Sequence, residues 1–151
     1  MTLLSKIVKR RPGDLLLAVE ALVLLAFFRV CLAVVPVRRI LRTMTHGSAG
    51  STEAKSSAND AGAEAGVAIA RRVRWAVSAA ARHSAIEFVC FPQALAGYTM
   101  LRWRGVAGTV VYGVKRSAEG ELLAHTWLTV GNRTVLGGEV ASDFTPVERW
   151  S

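Results

Sequence analysis

The chain has 151 residues, 52% hydrophobic and 20% charged, room for one domain of ordinary size and no disordered chain. Two cysteines exclude a disulfide scaffold, three histidines without an HExxH or His/Cys cluster give no metal site, and no GxGxxG or P-loop pattern calls for a nucleotide cofactor. The net charge of +8 is concentrated in residues 1–44 (net +6), which suits an anionic membrane surface or an acidic peptide, while 7% aromatic residues, not interleaved with the basic ones, argue against nucleic acid.

Residues 1–44 read as a basic segment around one apolar helix, LLLAVEALVLLAFFRVCLAVVPV at 15–37. Lys6, Lys9, Arg10 and Arg11 flank it on one side and Arg38, Arg39 and Arg42 on the other. Glu20 and Arg29 break the run, and a charge at mid-bilayer costs about 2.5–3.5 kcal/mol on insertion scales. Nine positions apart, the two lie near opposite sides of a helix and cannot pair within it. No small-x-small site closes the run as in a signal peptide. Three readings stay open: a helix completing the core or docking on a partner, a membrane-associated helix, or a span.

Residues 45–66, THGSAGSTEAKSSANDAGAEAG, read as a flexible linker, since 16 of the 22 are Gly, Ser, Ala or Thr. His46 stands there without chemical company. Residues 67–151 read as the compact domain. Val67, Ala70, Val73, Val77 and Ala81 recur at helical steps. A second helix starts near Pro92, which suits a first turn, and stops at Gly105. The period then changes to two, and AGTVVYGVK, LLAHTWLTV and RTVLGGEV read as three antiparallel strands. The expected class is α+β.

Cys90 stands just before a helix N-terminus, whose partial positive charge favours the attacking thiolate. His125 falls mid-strand in LLAHTWLTV, Glu139 ends the following strand, and Asp143 comes soon after. A thiol, an imidazole and an acid in that order fit a triad in which the ring takes the thiol proton and the acid fixes its tautomer. From spacing alone, a buried Cys and a satisfied strand His are the commoner case, and a metal role is a third.

The runs Cys90-Phe91-Pro92-Gln93-Ala94-Leu95, Leu101-Arg102-Trp103-Arg104-Gly105-Val106, Tyr112-Gly113-Val114-Lys115 and Ala124-His125-Thr126-Trp127-Leu128 resemble one family. They look like the leader peptidases of lasso peptide biosynthesis, transglutaminase-like cysteine proteases that form the C-terminal half of B proteins. The resemblance covers residues 87–147, and more loosely the apolar helix with its Pro36-Val37-Arg38-Arg39 ending. It implies a papain/transglutaminase-like core, with a nucleophile helix packed on an antiparallel sheet. It implies that Cys90 is the nucleophile and His125 the general base and acid. The reaction would be hydrolysis of one peptide bond in a lasso precursor, freeing the core peptide for a cyclase, with no cofactor.

The pattern departs at the third member. Many family members read Asn-Asp about 11–12 residues after the His, where this chain has Leu136 and Gly137. Glu139 is the expected substitute and Asp143 the alternative, unless the site works as a dyad. Backbone N–H groups near Cys90 are the expected oxyanion donors. Gln93 and Trp127 are candidates for the site wall, with plain packing as the competing reading. Arg102 and Arg104 straddle Trp103, as a solvated face or a contact for an acidic substrate. Residues 1–66 resemble no leader-recognition domain, so the expected form is split, served by a separate recognition protein. The expected location is cytoplasmic, with peripheral membrane contact through residues 15–37 left open. Two other functions are weighed: a transglutaminase-type acyl transferase, and a non-catalytic peptide-binding scaffold.

Overall fold

The computed structural model describes residues 12–34, 60–83 and 90–151. Helix α1 spans Pro12–Val34, α2 Asp60–His83 and α3 Cys90–Arg102. Strands β1 (Thr109–Arg116), β2 (Leu122–Val130), β3 (Arg133–Leu136) and β4 (Thr145–Trp150) form one antiparallel sheet in the order β3-β2-β1-β4. The class is α+β, three helices against a four-stranded sheet.

Helix α3 is the centre of the packing. Ala94, Leu95, Ala96, Gly97, Met100 and Leu101 are buried along it, against α1, α2 and the sheet. Its small residues let it come close. A Cβ at Gly97 would lie 2.5 Å from Leu136 Cδ1 and 2.9 Å from Leu128 Cδ2, so any larger residue would have to displace these two leucine side chains. Helix α2 buries Ala70, Val73 and Val77 of the predicted stripe together with Ala76 and Ala80, while Val67 and Ala81 at its ends are half-buried.

Helix α1 belongs to the same core. Leu17, Ala21, Leu24 and Leu25 are buried at helical steps against α2 and α3. Both acidic groups of α1 have basic partners on the domain. Asp14 accepts hydrogen bonds from Arg72 at 2.9 and 3.2 Å, and Glu20 accepts two from Arg104 at 2.6 and 2.9 Å. The bond to Glu20 raises the Arg104 pKa against the opposing effect of burial. The other side of α1 exposes Leu15, Leu16, Val19, Leu22, Val23, Phe27, Val30 and Val34. By length and composition Gly13–Val34 is apolar enough to cross a membrane, yet one face of it fills the core.

Several elements differ from the sequence reading, α3 among them, which starts at Cys90 itself and ends at Arg102. Residues 60–66, assigned to the linker, are the first turns of α2, because Ala61, Ala63 and Ala65 favour a helix and Asp60 and Glu64 suit its N-terminal end, despite the glycines. Residues 45–59, with His46, lie outside the described residues. The third strand ends at Leu136 instead of running to Val140, since Gly137 turns into the left-handed region at φ +70°. A fourth strand, TPVERW, pairs with β1 across a bulge; its mostly exposed residues and Pro146 hid it from a periodicity argument.

Candidate active site

The start of α3 and the middle of β2 meet at an open pocket of about 210 Å³. Cys90, the first residue of α3, and Gln93 one turn later line it from the helix. His125 lines it from β2, where it pairs across with Gly113 of β1. Leu136, Gly137 and Glu139 close it from the end of β3, and Arg74 and Ser78 from α2. Cys90 is a free, partly buried thiol. Its place at the first turn of a 13-residue helix puts it at the positive end of the macrodipole.

The imidazole is held on three sides. Trp127 lies nearly parallel to it, with ring centroids 6.0 Å apart and 21° between planes. Phe144 tilts against it at 5.2 Å, and the Lys115 ammonium sits 4.6 Å over the Phe144 ring. His125 Nε2 is 2.8 Å from the carbonyl oxygen of Gly137. A carbonyl only accepts, so this hydrogen bond puts the ring proton on Nε2 and leaves Nδ1 as the basic nitrogen of the neutral ring.

Gly137 can make that contact only as glycine. Its φ of +70° disfavours other residues, and a Cβ there would stand 2.8 Å from Thr126 O and 3.2 Å from His125 Nε2. Buried Leu136 anchors the turn, and Gly137 aims its carbonyl back at β2.

The expected acids are placed differently from one another. Glu139 reaches the pocket rim, beyond the end of β3, with its carboxylate 3.8 Å from Arg74 and largely exposed. Asp143 lies in the short turn Ala141–Asp143 and faces Lys115 at 3.7 Å. Among the described residues, the partner of Nε2 is the Gly137 carbonyl and neither carboxylate. Gln93 lines the pocket as a wall residue, whereas Trp127 flanks the imidazole. Arg104 is turned to Glu20, and Arg102 donates to the Tyr98 hydroxyl, so the pair around Trp103 has structural partners. Reasoning from side chains could not find the Gly137 carbonyl, because a backbone acceptor has no residue signature. Arg74 and Ser78 had one weak signal, a four-residue step on one helix face.

A family model described as the transglutaminase-like superfamily matches residues 22–149, from within α1 to the last strand. No curated protein and no solved structure matches the chain.

Proposed function

The chain belongs to the transglutaminase-like superfamily, and on that premise we propose that it is a cysteine peptidase that cuts the leader from a lasso peptide precursor. The observation that carries the chemistry is the meeting of Cys90 and His125 in one pocket, with Nε2 tied to the Gly137 carbonyl. The choice of substrate rests on the ordered runs around Cys90, Arg102 and His125 that resemble lasso leader peptidases.

In this reading Nδ1 of His125 takes the Cys90 proton, and the thiolate attacks the carbonyl carbon of the scissile bond. The negative oxygen is received by N–H groups that the first turn of α3 leaves unbonded, those of Cys90 and Phe91, since Pro92 has none. The imidazolium then protonates the departing amine, the C–N bond breaks, and a thioester remains on Cys90. Water, losing its proton to the same nitrogen, attacks the thioester and releases the acid. The Gly137 carbonyl takes the place of the usual carboxylate by fixing the tautomer, and it stabilises the imidazolium as an oriented dipole instead of a full charge.

A separate recognition protein delivers the precursor and a cyclase takes the product, in the cytoplasm. The exposed side of α1 is the docking face for one of them or for lipid. The test is mass spectrometry of a lasso precursor incubated with this chain and a recognition protein. One cut between leader and core, lost in Cys90→Ala, is expected. An intact precursor with wild type and variant alike, still bound by both, would replace the peptidase with the scaffold reading. Transfer of the acyl group to an added amine in preference to water would mark an acyl transferase.

A further inference from the structure

A second groove continues from the catalytic pocket, between α2 and the edge strand β3. It holds about 170 Å³ and has an apolar floor that includes Val67, Val130 and Val135. Three exposed arginines are among the residues that line it, Arg71 and Arg74 from α2 and Arg133 from the start of β3. Arg74 and Val135 line the catalytic pocket as well, so the two cavities share a wall.

The arginines differ in occupation. Arg74 lies 3.8 Å from the Glu139 carboxylate at the shared wall. Arg71 and Arg133 have no carboxylate partner among the described residues. Two planar, always charged forks over an apolar floor match a carboxylate on a short stem, with methylenes on the valines and oxygens on the guanidinium groups. Other arginines of the fold, at 72 and 104, are taken up by Asp14 and Glu20.

We infer that this groove is a subsite for an acidic side chain of the peptide that Cys90 attacks. Calling it a substrate subsite rests on the peptidase reading; its preference for a carboxylate does not. An extended chain advances about 3.3 Å per residue, and Arg71 lies one helical turn, about 4.5 Å along the axis, beyond Arg74. At that advance Arg71 lies little more than one residue of extended chain beyond Arg74, so the recognised Asp or Glu is not the residue at the bond that is cut.

The probe is fluorescein-labelled hexaglutamate, with hexaglutamine as its neutral match, read by fluorescence anisotropy on the full chain at low ionic strength. Hexaglutamate binds and hexaglutamine does not. Arg71→Gln with Arg133→Gln weakens hexaglutamate binding about five- to tenfold, as the loss of two exposed charge contacts implies. Arg116→Gln with Arg149→Gln removes the same net charge elsewhere and changes binding less than about twofold. Bound hexaglutamate also slows alkylation of Cys90 by a bulky maleimide, because the cavities adjoin. Equal loss in the two double variants, or equal binding of both probes, would overturn the groove. Loss confined to Arg71→Gln with Arg133→Gln in a chain that cuts no peptide would keep the groove and remove only the peptidase reading.

Discussion

The Nε2 atom of His125 and the carbonyl oxygen of Gly137 stand 2.8 Å apart, and this contact fixes which imidazole nitrogen carries the proton. In the proposed mechanism this peptide dipole occupies the place where a triad has a carboxylate. Its orientation depends on a glycine with φ +70° whose missing side chain makes room for Thr126 and the imidazole itself.

Gly137→Ala is expected to lower kcat at least about tenfold and to cost about 1–3 kcal/mol of stability, from backbone strain and the clash with Thr126 O. Nitrogen-15 shifts of the His125 ring separate orientation from plain destabilisation. They should report a proton on Nε2 in the wild type and a tautomer mixture in the variant. A single Nε2–H tautomer in both would remove the positioning role.

Glu139→Gln and Asp143→Asn are expected to keep kcat/KM within about fivefold of wild type, the range of an exposed ion pair. His125→Ala should lose about 10²–10⁴-fold, the usual worth of general acid–base catalysis. Single-turnover cleavage of the precursor measures all three. A drop with Glu139→Gln as large as that with His125→Ala would return the carboxylate to the triad.

Gly97→Ala places a methyl 2.5 Å from Leu136 Cδ1 and 2.9 Å from Leu128 Cδ2. Overpacking of this kind costs about 1–3 kcal/mol, read as a lower midpoint in urea. Leu136 precedes Gly137, so cleavage should slow even at temperatures where the variant is fully folded. Unchanged kinetics would show that the helix–strand spacing does not govern the imidazole.

Arg104→Ala leaves the Glu20 carboxylate partly buried without its two donors and should cost about 1–3 kcal/mol. The double variant Glu20→Gln, Arg104→Gln should recover part of the loss, and a double-mutant cycle gives the coupling. The Arg104 pKa is raised on folding, so this stabilisation is present below the unfolded arginine range and is lost only as pH rises through the folded value. Chemical denaturation from neutral to mildly alkaline pH should therefore show no loss from this contact.

That Cys90 and His125 belong to one site was legible because thiol and imidazole are chemically distinctive and the runs around them are ordered along the chain, and the structure brings both to one pocket. The amphipathic stripe of α2 and the first two strands were legible from their periods. The orienting acceptor was not, since the carbonyl of Gly137 is identical in every residue and only the fold aims it. The two ion pairs that tie α1 to the domain join residues 58 and 84 apart, and no local pattern reaches that far. Strand β4 escaped because its partner, not its own composition, makes it a strand: five of its six residues are exposed.

Helix α1 turns its carboxylates toward protein and eight large apolar side chains toward solvent, the reverse of a typical surface helix. Each such side chain gains about 1.5–3 kcal/mol when fully withdrawn from water. Dilute aqueous buffer is therefore the least comfortable setting for this molecule, and a purified sample will recruit detergent, lipid, protein or its own copies to shelter that stripe. The proposed activity is then expected to vary with protein concentration and with additives while every residue around Cys90 stays unchanged. Turnover numbers acquire meaning only beside the hydrodynamic size at which they were recorded.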